Sequence, residues 1–152
     1  MVARMVPHRT RCATFQKEVQ VLHMLRGRPH VLQLLDAPYV ASFADVMVTE
    51  IALFGSLCDW ADHLDFECIE LCELRASRLV EQVVLQTCCG LHALAILGLQ
   101  HGDLRCTNVL VFSYDISRLQ IHVKLADFGS VCGLSTGDDV DALAVELRKL
   151  LC

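Results

Sequence analysis

The sequence contains no C-x-x-C pair and no Cys/His spacing of the kind that encloses a zinc ion, so a structural zinc site is not expected. It also lacks basic excess. Its 13 Lys and Arg stand against 18 Asp and Glu, a formal net charge of −5. Nucleic-acid binders carry a positive stripe, so no nucleic-acid partner is expected. There is no internal repeat, low-complexity tract or interdomain linker. No leader-like segment opens the chain, and its nine cysteines are an odd number. Reduced thiols in a cytoplasmic protein are therefore expected, most of them small buried hydrophobes, with the adjacent Cys88 and Cys89 inert inside an apolar helix. Charge is missing altogether from Gln82 to Gly102, a stretch long enough to span a bilayer. Gln82, Gln86, Thr87, His92 and Gln100 interrupt it, however, and its apolar residues keep helical spacing. It reads as a buried core helix, and no membrane partner is expected.

What is present is a globular composition. The chain has 152 residues, 54% hydrophobic and 20% charged, enough for one medium domain with a real core. Phe15, Val19, Leu22 and Leu25 predict a helix over residues 15–26, which Gly27 can close. Met1 to Val6, Val31 to Leu35 and Val46 to Glu50 read as strands. Gly55-Ser56-Leu57 opens a helix that includes Asp59 and Trp60. Residues 65–73 are acidic and read as a surface loop. Leu79, Val80, Val83, Val84, Thr87, Leu91, Leu94 and Ala95 then line one face of a long helix that Gly98 stops.

The chemistry lies between His101 and Gly129. The first part reads H-G-D-L-R-C-T-N-V-L-V, from His101 to Val111. A polar connection follows, and then I-H-V-K-L-A-D-F-G, from Ile121 to Gly129. Val109-Leu110-Val111 and His122 to Leu125 predict a hairpin that brings Asp127 back beside the loop holding Asp103 and Asn108. Phosphoryl transfer needs one carboxylate to orient an acceptor hydroxyl. It also needs an amide oxygen and a second carboxylate for the metal that bridges the phosphates. Asp103 suits the first role, and Asn108 and Asp127 the others.

H-x-D-L-x-x-x-N followed by D-F-G, 24 positions on (127 minus 103), resembles the eukaryotic protein kinase family. The resemblance implies an α+β, protein-kinase-like two-lobed fold, incomplete in this chain. Residues 1–48 would be a small-lobe remnant, 49–55 the hinge and 56–152 a partial large lobe. It implies ATP and Mg²⁺ as cofactors. Asp103, Asn108 and Asp127 would be catalytic, with Asn108 and Asp127 holding the metal. Arg4 falls where the family places a lysine on the nucleotide phosphates, and Glu18 where it places that lysine's glutamate partner. Thr49, Glu50, Ala52 and Leu110 would surround the adenine. The hinge pattern from Thr49-Glu50 to Gly55-Ser56-Leu57, and Arg105-Cys106 after the loop's Asp-Leu, lean toward the tyrosine-kinase or tyrosine-kinase-like groups.

The pattern also has departures. Arginine is bulkier and planar and is not an equivalent replacement for lysine at position 4. No glycine-rich loop precedes that strand. Gly102 replaces the family's arginine, and Ser130 to Gly137 is eight residues long where the family has a long activation segment. Asp139 matches the aspartate that buttresses the catalytic loop. The family's later helices are not in the sequence, so a domain truncated at both ends is expected. The expected function is a phosphotransferase moving the ATP γ-phosphate to a protein hydroxyl of Tyr or Ser/Thr. Two alternatives stay open. One is a catalytically dead pseudokinase acting as a binding module. The other is a small-molecule phosphotransferase of the aminoglycoside or choline kinase type, whose families often write H-G-D-L-x-x-x-N with a short connection. A protein substrate or partner is expected. Self-association is too, because Val140, Leu143, Leu147, Leu150 and Leu151 would form an uncovered apolar face.

Overall fold

The computed structural model describes residues 2–7, 13–36, 39–40, 44–63, 72–134, 139, 141–142 and 145. Strand β1 (Val2–Pro7) is followed by helix α1 (Ala13–Met24), the short β2 (Tyr39–Val40) and β3 (Ala44–Thr49). Helices α2 (Leu57–Asp62) and α3 (Cys72–Ala95) come next, then β4 (Leu99–Gln100), β5 (Val109–Asp115), β6 (Gln120–Leu125) and β7 (Cys132–Gly133). The architecture is α+β. An antiparallel sheet of order β1-β3-β2 stands apart from the β5-β6 hairpin and the small β4-β7 pair.

All six residues of β3 are buried, as suits the central strand of its sheet. Helix α1 buries Phe15, Glu18, Val21 and Leu22, one face at helical spacing. It ends at Met24, two residues short of the expected end, and a turn follows to Gly27, which has φ 75° and donates its N–H to Gln33 Oε1 at 2.7 Å. Helix α2 is set by a capping box. Ser56 Oγ accepts from Asp59 N, and Asp59 Oδ2 accepts from Ser56 N at 2.9 Å.

The expected strand over Val31 to Leu35 does not form as one element. Its backbone changes partner midway. Leu32 N donates to Leu125 O at 2.8 Å and Leu125 N to His30 O at 3.0 Å, whereas Leu35 N donates to Val48 O at 2.9 Å and Glu50 N to Gln33 O at 3.2 Å. Residues 30–32 thus belong to β6 and residues 33–35 to β3, and the segment joins the two sheets.

Helix α3 begins at Cys72, so the last two residues of the expected acidic loop are helical. Leu79, Val83, Thr87, Ala93 and Leu94 are buried, while Ala95, expected on the same face, is exposed. Gly90 faces the core at very close range. A Cβ there would lie 2.7 Å from His30 O and 2.8 Å from Leu125 Cδ1. Gly98, at φ 70°, closes the helix as expected. No helix among the described residues is long and apolar enough to cross a membrane.

The glutamines of α3 have a specific task. Gln82 donates through Nε2 to Leu119 O at 2.7 Å and accepts through Oε1 from Ile121 N at 3.2 Å. One turn on, Gln86 donates to Ile121 O at 2.8 Å and accepts from Val123 N at 2.9 Å. His30 Nδ1 then meets Val123 O at 3.2 Å. With the bonds to Leu125 above, the side of β6 facing away from β5 is hydrogen-bonded from Leu119 O to Leu125 O.

The cysteines do not fit the expectation of burial. Of those described, Cys106 is buried, Cys58 is intermediate, and Cys88, Cys89 and Cys132 are exposed. Cys88 and Cys89 lie on the side of α3 turned away from β6, because the glutamines and Gly90 occupy the sheet-facing side. Most of the apolar face expected over residues 139–151 lies outside the described residues.

Candidate active site

The expected hairpin forms. Val109 pairs with Leu125 and Val111 with Val123, and a register shift falls between Val111 and Ser113. Its far turn is held by Asp115 Oδ1, which accepts from Ser117 N at 2.9 Å and Arg118 N at 3.2 Å. Buried residues alternate along β6, with Ile121, Val123 and Leu125 inward. The two ends of the hairpin thus open side by side onto the loop of Asp103 and Asn108 and the turn of Asp127.

That loop is short and heavily bonded. Asn108 is buried, and its Nδ2 donates to Asp103 O at 2.8 Å and to Asp103 Oδ2 at 3.2 Å. Asn108 O accepts from Ala126 N at 2.9 Å. Ala126 O accepts in turn from His101 Nε2 at 3.0 Å, and His101 is fully buried. Ala126, the residue before Asp127, is therefore gripped at its N–H and at its carbonyl by the two ends of the loop. Asp127 itself is exposed and left-handed, at φ 60° and ψ 70°. That conformation is uncommon outside glycine, though aspartate tolerates it better than most residues. Phe128 is fully buried, with its ring centroid 5.5 Å from that of His101. Gly129 lies against α1, where a Cβ would approach Thr14 Cγ2 to 3.0 Å.

Asp139 accepts from His101 N at 2.6 Å and from Gly102 N at 3.1 Å. It buttresses the loop as its position in the pattern implied. Gly102 is required where it stands. Its φ is 76°, and a Cβ would lie 2.7 Å from Ser130 O. The chain after Gly129 returns to pair Cys132 with Gln100, so the loop of Asp103 and Asn108 lies between two paired segments of backbone.

In the 49–55 segment, Thr49 is buried and its Oγ1 donates to Glu50 O at 3.2 Å. Ala52 and Leu110 are half-buried, and Leu110 bridges Ser56. Phe54 N donates to Val111 O at 3.2 Å and Val111 N to Gly55 O at 2.9 Å, which ties the 49–55 segment to β5. Glu50 has a second task that the sequence does not signal. Its carboxylate accepts from Gln33 N at 2.7 Å and from Lys124 Nζ at 2.5 Å. Lys124 also lies over the Phe112 ring, 4.8 Å from its centroid. The partners Glu50 and Lys124 are 74 positions apart, so no local pattern could reveal the pair.

Glu18 is buried on α1, the helix that touches Gly129. Arg4 is placed by its backbone on β1, opposite Met47. The pairing of its side chain with Glu18 lies outside the described residues. Among the described residues, no three His, Cys, Asp or Glu converge as a metal cage. Asn108 and Asp127 offer two hard oxygen donors. That fits Mg²⁺, which is commonly held by one or two carboxylates together with phosphate oxygens and water.

The chain belongs to the protein tyrosine and serine/threonine kinase family, whose pattern matches residues 2–142. It is 28% identical over 131 residues to the actin-regulating kinase PRK1 of Saccharomyces cerevisiae, covering 85% of this chain and 15% of that protein. It is 27% identical over 128 residues to the mouse phosphorylase b kinase gamma catalytic chain, liver/testis isoform, covering 84% and 28% respectively. It is 32% identical over 129 residues to the Activated Cdc42 kinase-like protein of Drosophila melanogaster, covering 82% and 8%. The chain thus spans between 8% and 28% of the length of these relatives.

Proposed function

We propose that this chain carries the phosphoryl-transfer centre of a protein kinase, moving the ATP γ-phosphate to a protein hydroxyl. The observation that carries this is the Asn108 bridge. One side-chain amide holds Asp103, and the same residue's carbonyl accepts from the N–H of Ala126, the residue before Asp127. Three groups from two loops are thereby fixed relative to one another, which is most of what phosphoryl transfer asks of a protein. In this reading Asp103 orients the acceptor hydroxyl and receives its proton. Asn108 and Asp127 would hold Mg²⁺, which when bound neutralises charge on the phosphates. Thr49, Glu50, Ala52 and Leu110 surround the adenine, and Glu18 supports Arg4 near the phosphates. Arg105 and Cys106, in the two places after Asp103-Leu104, favour a tyrosine acceptor.

Arg4 in place of lysine supports weak nucleotide binding that depends on Mg²⁺. The expected result is little thermal stabilisation by ATP alone and more with Mg²⁺, the gain being lost in Asp127→Asn. Transfer to a protein hydroxyl should fall by about 10²–10⁴-fold in Asp103→Asn, the range for removing a general base. Mg²⁺-dependent ATP binding with no transfer in either protein would instead support the binding-module reading. Tight binding of ATP without metal would refute the assigned roles of Asn108 and Asp127.

A further inference from the structure

His30 performs two bonds that a neighbouring strand residue would make. Its Nδ1 faces Val123 O at 3.2 Å and its own carbonyl accepts from Leu125 N at 3.0 Å. A carbonyl can only accept, so Nδ1 carries the proton. His122, on the same strand, meets His30 edge to face with ring centroids 5.6 Å apart. Phe112 of β5 closes the other side of His122 at 6.0 Å.

We propose that His30 and His122 form a proton-sensitive clasp between the connection that follows α1 and the strand that leads into Asp127. The charged groups facing His122 are Lys124 on β6, His30 on the connection and Glu50 after β3. Only Glu50 is an anion, and its carboxylate is already bonded to Lys124 Nζ and Gln33 N. Burial, then Lys124, then His30 hold the His122 imidazole below its ordinary value, with Glu50 acting in the opposite sense. The neutral ring is therefore the form the fold accepts. Its contribution is complete above the ordinary value of 6.5 and is lost as pH falls through the lower folded-state value.

Protonating His122 sets a cation against the His30 ring and within reach of the Lys124 charge. His30 cannot retreat toward α3, because its carbonyl is already packed against Gly90. It is also held at φ 56°, an uncommon conformation outside glycine. The available relief is for residues 30–32 to lift away from β6, breaking the bonds of Leu32 and Leu125. Asp127 follows Leu125 by two positions, so loosening there reaches the site. The consequence for bound nucleotide rests on the phosphotransferase reading; the clasp itself does not.

The test is amide hydrogen exchange of the whole chain without nucleotide, from about pH 7.5 to about pH 5.5, the window in which histidine changes charge. Exchange is corrected for its intrinsic pH dependence and referred to Val111, whose N–H bonds Gly55 O away from the clasp. Protection of Leu32 and Leu125 should fall several-fold relative to Val111 toward low pH. In His122→Phe, which keeps a ring between Phe112 and His30 but cannot take a proton, the ratio should stay flat. A flat ratio in the unsubstituted chain, or an equal fall in His122→Phe, overturns the proposal. If His122→Phe does not fold, the imidazole and amide resonances of the unsubstituted chain decide. The titration of His122 should move the amide resonances of Leu32 and Leu125 with it, and amides that stay still through that titration overturn the clasp.

Discussion

Replacing Gly90 by alanine should destabilise the fold, although helix propensity alone says the opposite. In a helix interior alanine is better than glycine by about 1 kcal/mol. Position 90, however, faces His30 O at 2.7 Å, Leu125 Cδ1 at 2.8 Å and Leu125 Cγ at 3.0 Å from an ideal Cβ. The leucine tip can move, but the His30 carbonyl is backbone and accepts from Leu125 N at 3.0 Å. Making room means pushing α3 off the sheet, at about 1–3 kcal/mol for overpacking, or breaking that hydrogen bond, at about 1 kcal/mol or more. After subtracting the propensity gain, the expected net loss is up to about 2 kcal/mol. In a chain of this size that corresponds to a Tm lower by about 2–4 °C for each kcal/mol. Thermal and urea unfolding of Gly90→Ala beside the unsubstituted chain read this directly. A variant more stable by the full propensity gain of about 1 kcal/mol would show that α3 and the His30 turn are not in the close contact described.

Three further outcomes are expected. Glu50 and Lys124 should couple in a double-mutant cycle of Glu50→Gln and Lys124→Met by about 1–3 kcal/mol, between the values for exposed and buried pairs; no measurable coupling in urea unfolding would contradict the pairing. Asp139→Ala leaves the N–H groups of His101 and Gly102 without their carboxylate and should cost about 1.5–3 kcal/mol, with a matching loss of amide protection at Gly102. Cys88 and Cys89 should be labelled in the native chain because both are exposed, yet Cys88 should react more slowly than a free thiol near neutral pH, since burial and then Cys89 push its thiol up. Fast labelling of Cys88 that does not depend on pH would refute that.

Much of the site was legible because its information is local. Asp103 and Asn108 share one loop, the alternation from Ile121 to Leu125 fixes a strand, and a hairpin must return Asp127 to their side. The buttress at Asp139 was legible through the family pattern. The Val31 to Leu35 segment misled because an apolar run reports burial but not which strand supplies the hydrogen bonds, and here two do. Cys88 and Cys89 misled because a run without charges looks uniformly apolar, whereas only one side of α3 packs. The Glu50–Lys124 pair and the His30–His122 contact left no trace in the sequence, since their partners meet only once both sheets are in place.

Gln82 and Gln86 interrupt the charge-free run, and their effect reaches beyond α3. A two-stranded hairpin normally leaves an open edge, a row of unpaired backbone groups onto which another chain can add a strand. Here side-chain amides from a helix, followed by the His30 turn, occupy that row from Leu119 to Leu125. Amides suit the position because each presents a donor and an acceptor, as a peptide group does, without bringing a charge into the packed face. Leucine at both positions would make α3 more apolar while uncovering a template for strand addition. A chain altered in that way would be expected to associate through β6 rather than simply to lose stability.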